Sequence, residues 1–219
     1  MLRLGDLDGN PHIGVFCAVN EDMAIIAEPV EESVVGDLRE ALGVEVVLTT
    51  VSGSTVIGSL VAMNSSGIVF SNLAERHEVS KVPASMRVGY MPAKINAAGN
   101  NVLVNDRGAC VHPAATSGTV KMLEDVLGVE VARRPIAGID TVGSVCIVTS
   151  KGLVCHPKTT EDELKDLSEL FKVPASLATL NYGTPYLGAC AVANGKGAYV
   201  GASSTPIEVG RLEDGLQLY

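Results

Sequence analysis

Thr141-Val-Gly-Ser-Val-Cys-Ile-Val-Thr-Ser-Lys-Gly-Leu-Val-Cys155 decides the fold. It holds a glycine, an apolar run, a four-residue turn ending in glycine and a second apolar run, and the pattern occurs five times in 219 residues. The first glycine falls at Gly14, Gly58, Gly99, Gly143 and Gly188, with spacings of 44, 41, 44 and 45. The turn position falls at Met23, Gly67, Gly108, Gly152 and Gly197 with the same four spacings. Two markers on one period mean a single supersecondary unit copied around an axis or along a stack.

The runs Ile13–Val19, Ile57–Met63, Val142–Val148 and Leu187–Val192 are apolar almost throughout, which predicts strands covered on both faces. The turns Asn64-Ser-Ser-Gly67, Asn105-Asp-Arg-Gly108, Thr149-Ser-Lys-Gly152 and Asn194-Gly-Lys-Gly197 predict type I turns whose last residue is left-handed. Asn20-Glu-Asp-Met23 departs from them, which predicts a looser hairpin or a strained methionine.

Helical periodicity follows at Val34, Leu38 and Leu42, at Val120, Leu123 and Leu127, and at Leu164, Leu167 and Phe171. Ser33 is placed to cap the first of these helices, Thr160 and Glu163 to form a capping box, and Gly43 and Gly128 to end helices in a left-handed residue. A further strand is expected at Val44–Leu48, Met86–Met91, Val129–Arg133 and Ser176–Leu180. The unit is strand, strand, helix, strand. The fifth copy has no such final strand after Gly201, whereas Leu2–Leu4 belongs to no unit. The N-terminal strand is therefore expected to complete unit five and close a ring, removing the sheet edges of an open array. The expectation is a single α/β domain over residues 1–219 with pseudo-fivefold symmetry.

Hydrophobic residues make up 47% of the chain and charged ones 19%, with 4% aromatics and no Trp, so the core is built from Val, Leu, Ile and Ala. With 16 Lys and Arg against 25 Asp and Glu, the net charge is -9. That balance excludes extended phosphate binding and hence a DNA-binding role, and favours protein or small-molecule partners. Arg133-Arg134, the densest basic spot, reads as solvated surface. Met1–Asp8 has no apolar leader core and no stretch is long enough to span a bilayer, so the chain is expected to be cytoplasmic and off the membrane.

Five cysteines without a Cys-x-x-Cys indicate neither disulfides nor a zinc ribbon. Cys17, Val61, Val102 and Cys146 all lie three residues after a repeat glycine, and Cys190 lies one position earlier, so cysteine here replaces a small buried hydrophobe. His112-Pro113 and His156-Pro157 echo each other as a repeated strand end, without carboxylate or thiolate at ligand spacing, so no metal and no cofactor is expected. Glu31-Glu32 and Glu161-Asp-Glu163 sit at helix starts, where acids favour the dipole.

Over nearly its whole length the chain resembles the archaeal and eukaryotic translation initiation factor 6 family. The signatures are Asn10-Pro-His-Ile-Gly14, Ala98-Gly-Asn100, Asn105-Asp106, His112-Pro113, Thr141-Val-Gly-Ser144, Ser150-Lys-Gly152, His156-Pro157, Glu161-Asp-Glu-Leu164, Leu170-Phe-Lys-Val173, Asn181 with Gly183, and Gly188-Ala-Cys190. Tyr182 stands where many members carry a basic residue. The resemblance implies the closed five-unit pentein ring, an α/β propeller. It also implies a monomer that binds the large ribosomal subunit at its intersubunit face, blocks the small subunit by occupying space, and takes part in large-subunit maturation.

Equivalent positions of a ring share one rim, so His12, Gly14, Ser59, Gly99, Asn100, Ser144 and Tyr186 are expected to gather on one face. The resemblance implies that this rim meets a ribosomal protein of the large subunit, with at most a local contact to ribosomal RNA. The alternative is a pentein-fold guanidine-modifying enzyme with a Cys nucleophile, which needs inserted loops to enclose substrate. A period of 41 to 45 residues filled by the scaffold has none to spare, and the expectation is a protein without catalytic residues.

Overall fold

The computed structural model describes residues 1–219. Its fourth unit shows the plan: Cys146–Val148 and Leu153–Cys155 form an antiparallel hairpin, and Ala175–Leu177 runs parallel to the second strand. Cys17–Val19, Met23–Ile26 and Glu45–Leu48 repeat it in the first unit, and Val61–Met63, Gly67–Phe70 and Arg87–Tyr90 in the second. Val102–Val104, Gly108–Val111 and Glu130–Arg133 make the third sheet. In the fifth, Ala191–Ala193 and Ala198–Gly201 form the hairpin, and the parallel third strand is Leu2–Gly5, with Leu2 opposite Ala198 and Gly5 opposite Gly201. Every residue of the five middle strands is buried, as sheets packed on both faces require.

The innermost strands of neighbouring units touch in a cycle that includes the fifth and the first. Arg3 of the N-terminal strand pairs with Asp37 and Glu40 on the first unit's helix, and the Met1 ammonium donates to the Lys196 carbonyl at 2.7 Å. The N-terminal strand is thereby tied to the fifth and the first unit.

Four 11-residue helices, Glu32–Leu42, Ser117–Leu127, Glu161–Phe171 and Pro206–Leu216, wedge between neighbouring sheets. Thr116, Thr160 and Thr205 each accept a hydrogen bond from the amide three residues on, and Thr160 with Glu163 forms the expected capping box. Ser33 does not cap the first helix: Glu31 holds that position, and the Ser33 hydroxyl donates to its carboxylate at 3.1 Å. Gly43 and Gly128 end their helices at φ of 60° and 70°. The second unit has only the single turn Arg76–Val79. The space a helix would occupy is filled there by larger side chains, among them Met23, Met63, Ile68 and Phe70, with Val79, Val82 and Met86 against them.

Three further local expectations need correction. The apolar runs are strands only in their second halves. Ile13–Phe16, Ile57–Leu60, Ala98–Asn101, Val142–Val145 and Leu187–Cys190 are single helical turns with the repeat glycine second in each. The turn glycines are not left-handed either, since none of Gly67, Gly108, Gly152 and Gly197 has positive φ. A Cβ on them would instead overlap backbone carbonyls in the last turn of the next unit's long helix, at Val126, Leu170, Gly215 and Ala41 respectively. Met23 faces the one junction without a long helix. It is buried there at ordinary backbone angles, neither loose nor strained.

Candidate functional site

The ring axis has two chemically different ends. At one, five glycines meet backbone to backbone: a Cβ on Gly14 would overlap the carbonyl of Gly188, on Gly58 that of Gly14, on Gly99 that of Gly58, on Gly143 that of Gly99, and on Gly188 that of Gly143. The chain of contacts returns to its start, which closes the ring by backbone packing alone. A channel of about 120 Å³ runs inward from these glycines between Cys17, Val61, Val102, Cys146 and Ala191.

At the other end lie Asn20, Asn64, Asn105, Thr149 and Asn194, all buried. Each asparagine side-chain oxygen accepts from the third and fourth amides of its own turn. Its NH2 donates to the neighbouring turn: Asn20 to the Asn64 carbonyl at 2.9 Å, Asn64 to Asn105 at 3.2 Å, Asn105 to Thr149 at 3.0 Å and Asn194 to Asn20 at 3.2 Å. Thr149 has no amide to give, and the circle is open between units four and five.

The glycine end is where the rim residues fall. His12, Val56, Ala97, Thr141 and Tyr186 precede the five helical turns with nearly identical backbones, φ between -75° and -90° and ψ between 56° and 81°. The position after each glycine is held by Val15, Ser59, Asn100, Ser144 and Ala189, all partly exposed. His12, Ser59, Asn100, Ser144 and Tyr186 therefore share one end with Gly14 and Gly99. The two glycines face inward and serve packing, and Asn100 is half-buried. The Ser144 hydroxyl donates to the Thr141 carbonyl at 2.7 Å, and Asn10 Oδ1 lies 3.0 Å from His12 Nδ1.

Tyr186, 44% exposed, sets its ring edge-on to His156 at 6.3 Å between centroids. Burial, assisted by Lys158, lowers the His156 pKa, which keeps a neutral ring beneath the tyrosine. His156 and His112 sit at equivalent strand ends, each accepting on Nδ1 from a backbone amide two residues on.

Three carboxylates behind this surface hold loops in a way the sequence does not reveal. Glu208 accepts from the amides of Tyr182 at 3.2 Å and Gly183 at 2.7 Å and from the Thr179 hydroxyl at 2.9 Å, holding a loop in which Asn181 and Tyr182 are left-handed. Tyr182 is thereby presented 84% exposed. Glu78 does the same for the loop before the second unit, through Ser52, Gly53 and Thr50, and Glu163 accepts from Ala137 at 3.0 Å before the fourth. Burial raises the pKa of Glu78 and of Glu208, but the backbone and hydroxyl donors outweigh it and draw both down to about 2. The available signal is a Glu three residues past each helix cap, taken up from the sequence only at Glu163, and there only as a cap.

Catalytic machinery of the thiol type is not assembled. All five cysteines are buried, and burial pushes the thiols of Cys17, Cys110 and Cys190 up to about 12. Cys155 is pushed up as well, by its hydrogen bond with Cys146 and by burial. A protonated thiol inside the core is a hydrophobe. Arg133 is exposed, with a guanidinium bond to the Ala115 carbonyl, and Arg134 pairs with Asp166 at 2.8 Å. No helix is long and apolar enough to cross a membrane.

Five repeated α/β units in a ring, with one rim of backbone and small polar groups, define a propeller of the pentein type. The chain belongs to the eIF-6 family, whose model matches residues 3–215. It is 37% identical over 214 residues to a protein of Methanosphaerula palustris named translation initiation factor 6, covering 98% of this chain and 97% of that one. The protein of the same name from Methanosarcina mazei is 40% identical over 219 residues, covering 99% and 98%. That of Methanopyrus kandleri is 46% identical over 181 residues, covering 82% of each.

Proposed function

We propose that this protein is a translation initiation factor that binds the large ribosomal subunit with the glycine end of its ring, at the intersubunit face, and excludes the small subunit by occupying the space. The observation that carries the reading is the gathering of His12, Ser59, Asn100, Ser144 and Tyr186 at one end of a closed ring. The names of its family relatives supply the process.

A closed backbone ring loses little freedom when it docks, so a modest set of polar and aromatic contacts suffices for specific binding. Tyr186 and Tyr182 are the exposed aromatic anchors of that surface. With a net charge of -9 the main contact is to a ribosomal protein and any contact to RNA is local. The protein acts as a monomeric single domain in the cytoplasm, changes no covalent bond and serves subunit maturation through the same docking.

Sedimentation of separated subunits tests this. Added protein is expected to migrate with the large subunit and to reduce the joined particles, whereas migration with the small subunit alone defeats the reading.

A further inference from the structure

A cleft of about 630 Å³ lies outside the ring axis. Its apolar wall is Phe16 from the first helical turn with Val30 and Val34 at the start of the first long helix, and its mouth carries Asp6, Asp8 and Glu31. All three acids are exposed, and none of the lining residues is Lys, Arg or His. The Asp6 carboxylate accepts only from the Gly9 amide at 2.8 Å, the Glu31 carboxylate only from the Ser33 hydroxyl at 3.1 Å, and the Asp8 carboxylate is in no hydrogen bond. The cleft is continuous with the rim, because Asn10, which lines it, accepts from the His12 amide at 3.0 Å.

We propose that this cleft docks a short basic segment of a protein on the particle the rim binds, with an arginine or lysine whose aliphatic stem lies on Phe16, Val30 and Val34 and whose head sits among Asp6, Asp8 and Glu31. Long cationic side chains have this dual character, an apolar stem and a charged tip. The volume is that of a ligand cleft, which spans about 300–1,000 Å³, and holds more than one side chain. Three carboxylates without a balancing cation attract such a segment and repel nucleic-acid phosphate, so the occupant is protein. The inference rests on the subunit-binding reading for where the segment comes from, and on the cleft alone for what it is.

The test uses the full chain and a blocked Leu-Arg-Leu-Arg peptide, with Leu-Gln-Leu-Gln and a single-stranded RNA decamer as comparison probes, followed through backbone amide resonances. The arginine peptide is expected to shift the amides of Leu7, Gly9 and Val30 saturably. The double substitution Asp8→Asn, Glu31→Gln is expected to weaken it about fivefold, as the loss of two exposed charge contacts predicts, with an unchanged thermal midpoint. Equal shifts from the glutamine peptide, shifts of those amides by the RNA, or no shift with the arginine peptide overturn the proposal. In co-sedimentation the same variant is expected to bind the large subunit about fivefold less tightly. Undiminished subunit binding by the variant overturns the assignment of the segment to the particle. Wild-type protein that takes the peptide but ignores the subunit defeats the subunit reading and upholds the cleft.

Discussion

The two ends of the ring axis are made from the same repeat, yet they are held together by different groups. At the asparagine end the polar groups are spent on each other: every asparagine amide is buried and bonded to the next turn. At the glycine end closure needs no side chain, so the residue two before each glycine and the residue after it are left partly exposed, while the one directly before it is buried in the core. One end is closed by side-chain amides and the other by backbone, which leaves the small polar and aromatic side chains of the glycine end unspent on closure.

The strongest way to break that contrast is at the glycines themselves. Gly99→Val places a branched side chain against the Gly58 carbonyl, which is backbone and cannot swing aside. A loss of about 3 kcal/mol or more is expected, read as a lowered denaturant midpoint. A near-normal midpoint means that the ring is not closed by these contacts.

At the other end, Asn105→Ala removes two accepted bonds from Arg107 and Gly108 and two donated ones to the Thr149 and Phe171 carbonyls. A cost of about 2–3 kcal/mol is expected. Thr149→Asn is the opposite experiment: it supplies the missing amide and is expected to raise stability by about 1 kcal/mol. If the gain fails while Asn105→Ala behaves as expected, the gap between units four and five is a matter of backbone position.

The carboxylates behind the rim give the next effect. Glu78 and Glu208 fall from an ordinary 4.5 to about 2 in the folded protein, so their contribution is complete above about pH 4.5 and is lost as pH falls toward 2. Allowing for solvent screening, each contributes about 2 kcal/mol. Glu208→Gln is expected to flatten the pH dependence of unfolding over that window by about half, and an unaltered profile excludes the loop-holding role.

Much of this contrast is legible in the sequence. Markers that recur at one period report on geometry common to all units, so the ring glycines, the rim positions and the orphan strand at Leu2–Leu4 could be assigned to a ring from spacing alone. A helical turn of four residues inside an apolar run has no periodicity of its own, which hid Ile13–Phe16 and its four equivalents. Glycine at the turns predicts left-handed backbone because positive φ and close approach select the same residue, and only the neighbouring helix tells them apart. Met23 becomes intelligible once the second unit is seen to lack that helix. Glu208 reaches the Tyr182 amide across 26 residues, and the acidic cleft joins Asp6 and Asp8 to Glu31 from separate segments. Such pairings exist only after folding.

Co-sedimentation of single variants from the two ends with purified large subunits tests the central claim most directly. Asn100→Glu and Tyr186→Glu on the rim are expected to weaken binding about tenfold or more with unchanged thermal midpoints, and Ser66→Glu, exposed at the asparagine end, to bind as wild type. Loss of binding from Ser66→Glu with retention by both rim variants contradicts the account.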